Sequence, residues 1–125
     1  MFIGKGAILR CEKSKIFADQ GIANVMVSLG EQGALLFQGG HGYIATPPAI
    51  HAISTIGAGD SAIAGFLAAA YEGCGPDQCL RSAVAYGTAA CLTPGTLPPK
   101  REDLLGIMEQ VSVKSFESFS GGDLP

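Results

Sequence analysis

Apolar residues change their spacing along the chain, and each change marks a different element. From Ile8 to Gln20 the positions Ile8, Leu9, Ile16, Phe17 and Ala18 suggest a short helix, with Gly21 placed where a helix would stop. Compact apolar runs follow. Asn24–Leu29 and Ala34–Gln38 read as two strands joined by a Gly-flanked turn, Gly42–Thr46 as a third strand, and Ala49–Ile53, after the Pro47-Pro48 break, as a fourth. The second half has helical spacing. Gly59 to Glu72 is apolar nearly all round, which fits a helix buried on several sides, and Gly73 with Gly75-Pro76 ends it. Asp77 is the expected N-cap of a second helix running to Leu92, with Leu80, Ala83 and Val84 on its apolar face. A third helix, from about Lys100 to Gln110, carries Leu104, Leu105, Ile107 and Met108. After Val113 the chain turns polar and Gly-rich, so the spacing predicts a packed body over 1–113 and a loose tail over 114–125.

Composition limits what such a body does. At 125 residues it is one domain at most, and 47% hydrophobic residues exclude a disordered tail. The apolar runs are too interrupted for a membrane span, which needs ~20 consecutive apolar residues. Net charge is near -3 and the only basic pairs are Lys13/Lys15 and Lys100/Arg101, which argues against nucleic acid or an anionic membrane as partner. Met1 to Arg10 lacks a basic start followed by an apolar core, so the four cysteines are expected as thiols in a reducing cytoplasm. Cys74 and Cys79 have the look of half a zinc site, but the other cysteines and both histidines lie far off in sequence. Only 15% of residues are charged, against about 25% in ordinary domains. That shortfall suggests a body lacking part of its cover.

The most informative stretch is Ser54-Thr55-Ile56-Gly57-Ala58-Gly59-Asp60-Ser61, between a predicted strand and the long apolar helix. Small residues let the backbone turn tightly and leave its N–H groups pointing into one space. At a helix N-terminus, where the macrodipole also favours negative charge, such groups bind a phosphate without any basic side chain. Asp60, in the first helical turn, is then either a cap or a base beside that anion hole, and the second role is what phosphoryl transfer to an alcohol requires. A P-loop is excluded, because no lysine lies between Lys15 and Lys100. Gly57-Ala58-Gly59-Asp60-Ser61-Ala62 also fits Gly-x-Gly-x-x-Ala, the dinucleotide fingerprint, which requires a strand after the helix.

The run from Ser54 to Leu67 resembles, position by position, the C-terminal signature of the phosphofructokinase B (ribokinase-like) carbohydrate kinases. Val27–Ala34 resembles that family's nucleotide-binding strand and turn, and Ala83–Ala90 with Thr93–Thr96 its late helix and loop, most like the phosphofructokinase and tagatose-6-phosphate kinase members. The resemblance implies an α/β architecture, part of a ribokinase-like doubly wound fold comprising the C-terminal part of the sheet with its flanking helices. By similarity Asp60 would be the catalytic base and Gly57, Ala58 and Gly59 the anion hole. Ser28, Leu29, Gly30, Glu31, Gln32 and Gly33 would line the ATP phosphates and ribose, although two glycines also make an ordinary turn. Ala52, Val84 and Thr88 match positions that wall the nucleotide pocket. Some members bind K+ through backbone carbonyls, and the matching positions are Ser54, Ile56, Ala90, Thr93, Gly95 and Leu97.

The implied reaction is ATP-dependent phosphoryl transfer to a hydroxyl of a sugar phosphate of the fructose or tagatose type, in a cytoplasmic enzyme that forms homo-oligomers in some members. Several family features have no counterpart in these residues: the Gly-Gly sugar signature, the β-sheet lid and the Asn-x-x-Glu motif associated with Mg2+. The sole asparagine, Asn24, is followed by Val-Met-Val. The chain is therefore expected to be part of one kinase domain and inactive alone, with exposed apolar surface. The competing expectation is a nucleotide-binding or purely structural fragment without catalysis.

Overall fold

The computed structural model describes residues 24–38, 41–94 and 97–117. The helix expected over 8–20 and the part of the expected tail beyond residue 117 lie outside them.

Four strands, β1 (Asn24–Ser28), β2 (Ala34–Gln38), β3 (His41–Thr46) and β4 (Ser112–Glu117), pair in that order, each antiparallel to its neighbour. Successive side chains of a strand point to opposite faces, so the sheet sorts its residues into two cores. Met26, Ala34, Leu36 and Ala45 face the helices α1 (Ala58–Tyr71), α2 (Pro76–Ala90) and α3 (Arg101–Gln110), meeting Leu80, Ala83, Val84, Ala85 and Ala89 of α2 and Ile107 of α3. Val25, Val27, Leu29, Leu35 and Phe37 form the opposite core, to which no described helix contributes. A sheet buried on both faces explains why β1 and β2 read as continuous apolar runs and not as alternations.

Two expectations about strands are corrected. Ala49–Ile53 is not a strand but part of a connection running from Pro47 to Gly57. The outer edge of β3 is already taken by β4, and Pro47 and Pro48 cannot donate to a ladder. The segment is instead fastened at its end, where the Ile53 and Ser54 amides donate to the Cys91 carbonyl at 2.7 and 3.3 Å. Residues 114–117, expected in a loose tail, belong to β4. Its Phe116 stacks edge-on against Phe37, with ring centroids 5.9 Å apart, and Val113 packs toward the helices.

The helices run close to their expected bounds. A helix and not a strand follows α1, which removes the dinucleotide reading. Asp77 does not cap α2: Gly75 is the N-cap, Pro76 opens the first turn and Asp77 lies within it. Ser82 Oγ, buried between the helices, donates to the Gly65 carbonyl at 2.9 Å and fixes α1 on α2. The Arg81 guanidinium donates to the carbonyls of Met108 and Val111, closing the C-terminal end of α3 that the helix itself leaves unsatisfied. No helix among the described residues is long and apolar enough to cross a membrane.

Candidate active site

Two turns and one helix face meet in a cavity of about 270 Å³, near the lower end of the ~300–1,000 Å³ typical of small-molecule sites. The first turn joins β1 to β2. Its amides close on themselves, with Leu29 N–H bonded to the Gly33 carbonyl at 2.8 Å and Gly33 N–H to the Gly30 carbonyl at 3.1 Å, while Ser28 Oγ accepts from Gly30 N–H at 3.3 Å. This compact 3-10 turn, Gly30–Gln32, presents Ser28, Gly30, Glu31 and Gly33 to the cavity.

The second turn is the start of α1. Gly57 caps the helix at φ 79°, in the left-handed region, with no side-chain hydrogen bond. Ala58 N–H reaches Thr55 O at 3.3 Å and Ser61 N–H reaches Gly57 O at 2.9 Å. Among the described residues, the amides of Gly57, Gly59 and Asp60 find no acceptor, and neither does the Asp60 side chain find a donor. The simple capping role for Asp60 is therefore not what this geometry displays. Its carboxylate is exposed, one residue beyond the cavity-lining Gly59.

Ala52 and Thr55 lie on the connection between β3 and α1, and α2 closes the wall with Ala83, Val84, Gly87, Thr88 and, just past its end, Cys91. Glu31 is the sole charged side chain of this lining, and no lysine or arginine takes part. The groups that this lining offers to an anion are therefore backbone amides and the helix dipole, not basic side chains.

Of the residues expected here, Ser28, Gly30, Glu31, Gly33, Ala52, Ala58, Gly59, Val84 and Thr88 line the cavity together. Leu29 does not: just past the end of β1, it keeps that strand's alternation and joins the core on the far face of the sheet. Gln32 is exposed outside the cavity, and Gly57 and Asp60 stand at its edge through their place in the turn. The sequence reading missed Met26, Ala34, Thr55, Ala62, Ala83, Gly87 and Cys91. The α2 members were detectable as a face, since 83, 84, 87, 88 and 91 recur at helical spacing.

Among the expected cation positions, Thr93 Oγ1 lies 3.0 Å from both the Ala90 and the Leu97 carbonyl oxygens, gathering two of them at one point. Ser54 is tied to the end of α2 through Cys91, and its Oγ accepts from Ile56 N–H at 3.1 Å. Gly95 lies outside the described residues. No group of three His, Cys, Asp or Glu side chains converges among the described residues.

Cys91 gives the cavity a chemical probe. Its thiol donates to Gly87 O at 3.4 Å, and burial pushes its pKa up. Thiolate, the reactive form, is then scarce at neutral pH. Alkylation of Cys91, followed by peptide mass spectrometry, should keep accelerating to higher pH than alkylation of a free cysteine peptide measured alongside; a rate that levels off at the same pH as the peptide, or lower, would contradict the assigned environment.

The α/β body of antiparallel strands and helices matches solved structures of ribokinase-like kinases. A candidate phosphofructokinase from Staphylococcus aureus superposes with a TM-score of 0.82 at 26% identity, over 94% of this chain and 37% of its own. Escherichia coli phosphofructokinase-2 in complex with potassium superposes with a TM-score of 0.77 at 30% identity, over 85% of this chain and 34% of its own. In sequence, the 1-phosphofructokinase of Rhodobacter capsulatus is 36% identical over 104 residues, 83% of this chain and 33% of the relative. Residues 10–103 match the pfkB family of carbohydrate kinases, and the chain belongs to that family. It spans about a third of the length of the curated relatives it matches.

Proposed function

We propose that this chain supplies the phosphoryl-transfer centre of an ATP-dependent sugar-phosphate kinase. The observation that carries the proposal is the uncapped start of α1, where three amides without acceptors stand beside the cavity and an unbonded carboxylate. Asp60 takes the proton from a sugar hydroxyl as that oxygen bonds to the γ-phosphorus of ATP. The bond from that phosphorus to the bridging oxygen breaks, and its electron pair leaves with ADP. The amides of Gly57 and Gly59, with that of Asp60, hold the group in flight, where fixed dipoles act most strongly on developing charge, while Ala58, expected as a third donor, shapes the turn with its N–H on the Thr55 carbonyl. Ser28, Gly30, Glu31 and Gly33 take the ribose and phosphate side of the nucleotide, and Ala52, Val84 and Thr88 its base side. A fructose phosphate is the favoured acceptor, in keeping with the names of the relatives.

For Mg2+, expected with ATP, the described residues offer no group of three carboxylate, imidazole or thiolate ligands, so the protein side of such a site is not supplied by them alone. K+ fits better, since hard cations take oxygen ligands and the Ala90 and Leu97 carbonyls already converge on one hydroxyl. With Ser54, Ile56 and Thr93 it would add positive charge near the start of α1.

A second reading, nucleotide binding without catalysis, is favoured by the lack of a carboxylate cluster among the described residues. The Gly59→Ala variant tests the part common to both. Gly59 has no positive φ, and a Cβ there would touch no atom within 4 Å, so nothing in the protein demands glycine. Alanine should leave thermal stability unchanged or raise it by up to about 1 kcal/mol. Calorimetric affinity for ATP should nevertheless fall at least about tenfold, because the methyl group enters the space the phosphates occupy. Unchanged affinity would remove the anion site from the start of α1.

A further inference from the structure

The turn that joins α1 to α2 lies at the ends of both helices remote from the cavity, and two of the described cysteines flank it. Gly73 ends α1 at φ 82°, with its N–H on the Ala70 carbonyl at 3.0 Å and the Cys74 N–H on the Ala69 carbonyl at 3.1 Å. This pair of bonds is the Schellman motif, which folds the residue after the glycine back toward the helix. Gly75 then caps α2, so Cys74 stands immediately before the cap and Cys79 is the fourth residue of the helix. Side chains at those two positions meet across a helix start and form the hydrophobic staple. Here both members of the staple are thiols.

Cys79 Sγ donates to the Cys74 carbonyl at 3.6 Å. Burial, and after it the nearby Cys74 and Asp77, push the Cys79 pKa up. Cys79 is 3% exposed whereas Cys74 is only half-buried, so one thiol meets solvent and the other lies behind it. Cys91 stands about 18 Å away along the axis of α2, too far to compete.

We propose that Cys74 and Cys79 are a reversible oxidation site, closed to a disulfide by exchange with a low-molecular-weight disulfide such as glutathione disulfide. The Cys74 thiolate attacks one sulfur of the oxidant, whose S–S bond breaks, and one glutathione leaves as thiolate with the electron pair. Cys79 then loses its proton and attacks the Cys74 sulfur of the mixed disulfide, which releases the second glutathione thiolate. Two electrons pass from the protein sulfurs to glutathione, and the two protons given up by the protein thiols end on the two glutathione thiols. The bond formed ties the turn that ends α1 to the start of α2. It holds or fails independently of Asp60 and of ATP binding.

The test incubates the 125-residue chain at fixed ratios of glutathione to glutathione disulfide, quenches with acid, alkylates with N-ethylmaleimide and maps the products by tryptic mass spectrometry. No lysine or arginine separates the two cysteines, so both fall in the fragment 16–81, apart from Cys11 and Cys91. That fragment is expected about 2 Da lighter than its reduced form, free of maleimide and glutathione, and in at least about tenfold excess over the glutathione adduct. A reductant should restore both thiols. In urea, where the staple is undone, the excess should fall at least about tenfold. Cys79→Ala should stop the reaction at a glutathione adduct on Cys74, and Cys74→Ala should leave the buried Cys79 reacting at least about tenfold more slowly than Cys74 does in the parent. Circular dichroism of both variants should match the parent. An adduct that accumulates on Cys74 of the parent overturns the proposal, as do two thiols that stay alkylatable at every ratio, a disulfide to Cys11 or Cys91, or an excess that urea leaves unchanged.

Discussion

Asp60→Asn, in a kinase assembled around this chain, is expected to lower phosphoryl transfer by about 10²–10⁴-fold, the range that general-base catalysis contributes. Asparagine keeps the size and the helical position but cannot accept the proton. The same change removes a negative charge beside three amides without acceptors. ATP affinity should therefore stay level or rise, and that pairing of slower turnover with undiminished binding separates a base from a structural residue. Were Asp60 only a partner of the helix dipole, its loss would cost about 0.3–1 kcal/mol of stability and leave turnover alone. Single-turnover kinetics with calorimetric ATP binding makes the comparison; near-parental turnover would rule Asp60 out as the base.

The largest loss of stability is expected at Gly33. This residue closes the β1–β2 turn at φ 106°, and a Cβ built on it would lie 1.9 Å from the Ala45 carbonyl oxygen and 2.9 Å from its carbon. Both are backbone atoms of β3 held in register with Ala34, so they cannot step aside without breaking the β2–β3 ladder. Adding the strain of a side chain at that φ, Gly33→Ala should cost at least about 4 kcal/mol, a large part of the ~5–15 kcal/mol that holds a domain together. Gly30→Ala is the internal control, since its φ of 63° is strained but a Cβ there meets nothing within 4 Å. It should cost only about 1–2 kcal/mol. Urea unfolding followed by circular dichroism distinguishes them, and equal costs would contradict the close approach of the turn to β3. ATP binding lost in Gly33→Ala would then report folding and not chemistry.

Helices α1, α2 and α3 and strands β1 to β3 were legible in the sequence because each pairs a clear apolar period with glycine or proline at or near its ends. Strand β4 was not. Its Ser, Lys and Glu residues lie beside a Gly-rich end, and the alternation that matters is carried by Val113 and Phe116 alone, whose partners on β2 and β3 are far away in sequence. Ala49–Ile53 failed in the opposite way, having strand-like residues but no free edge to join. Within the site, the small-residue turn at Gly57–Gly59 was legible as a candidate anion hole, since it depends on local backbone. Leu29 was misassigned although strand alternation already sets it against Ser28. Met26 and the α2 wall depend on how the helix lies over the sheet, which local spacing does not state. Pattern did foretell the exposed apolar surface: a helix without a polar face, in a chain with few charges, shows Leu67 and Tyr71 to solvent.

The central claim is that the bare amides at the start of α1 hold the phosphates of a nucleotide whose base side rests on α2. Amide chemical shifts of the 15N-labelled chain, titrated with ATP and separately with adenosine, test it most directly. Gly57, Gly59 and Asp60 are predicted to shift strongly with ATP and scarcely with adenosine, whereas Val84, Gly87 and Thr88 shift with both. Shifts absent at Gly57, Gly59 and Asp60, or the same there for the two ligands, would contradict it.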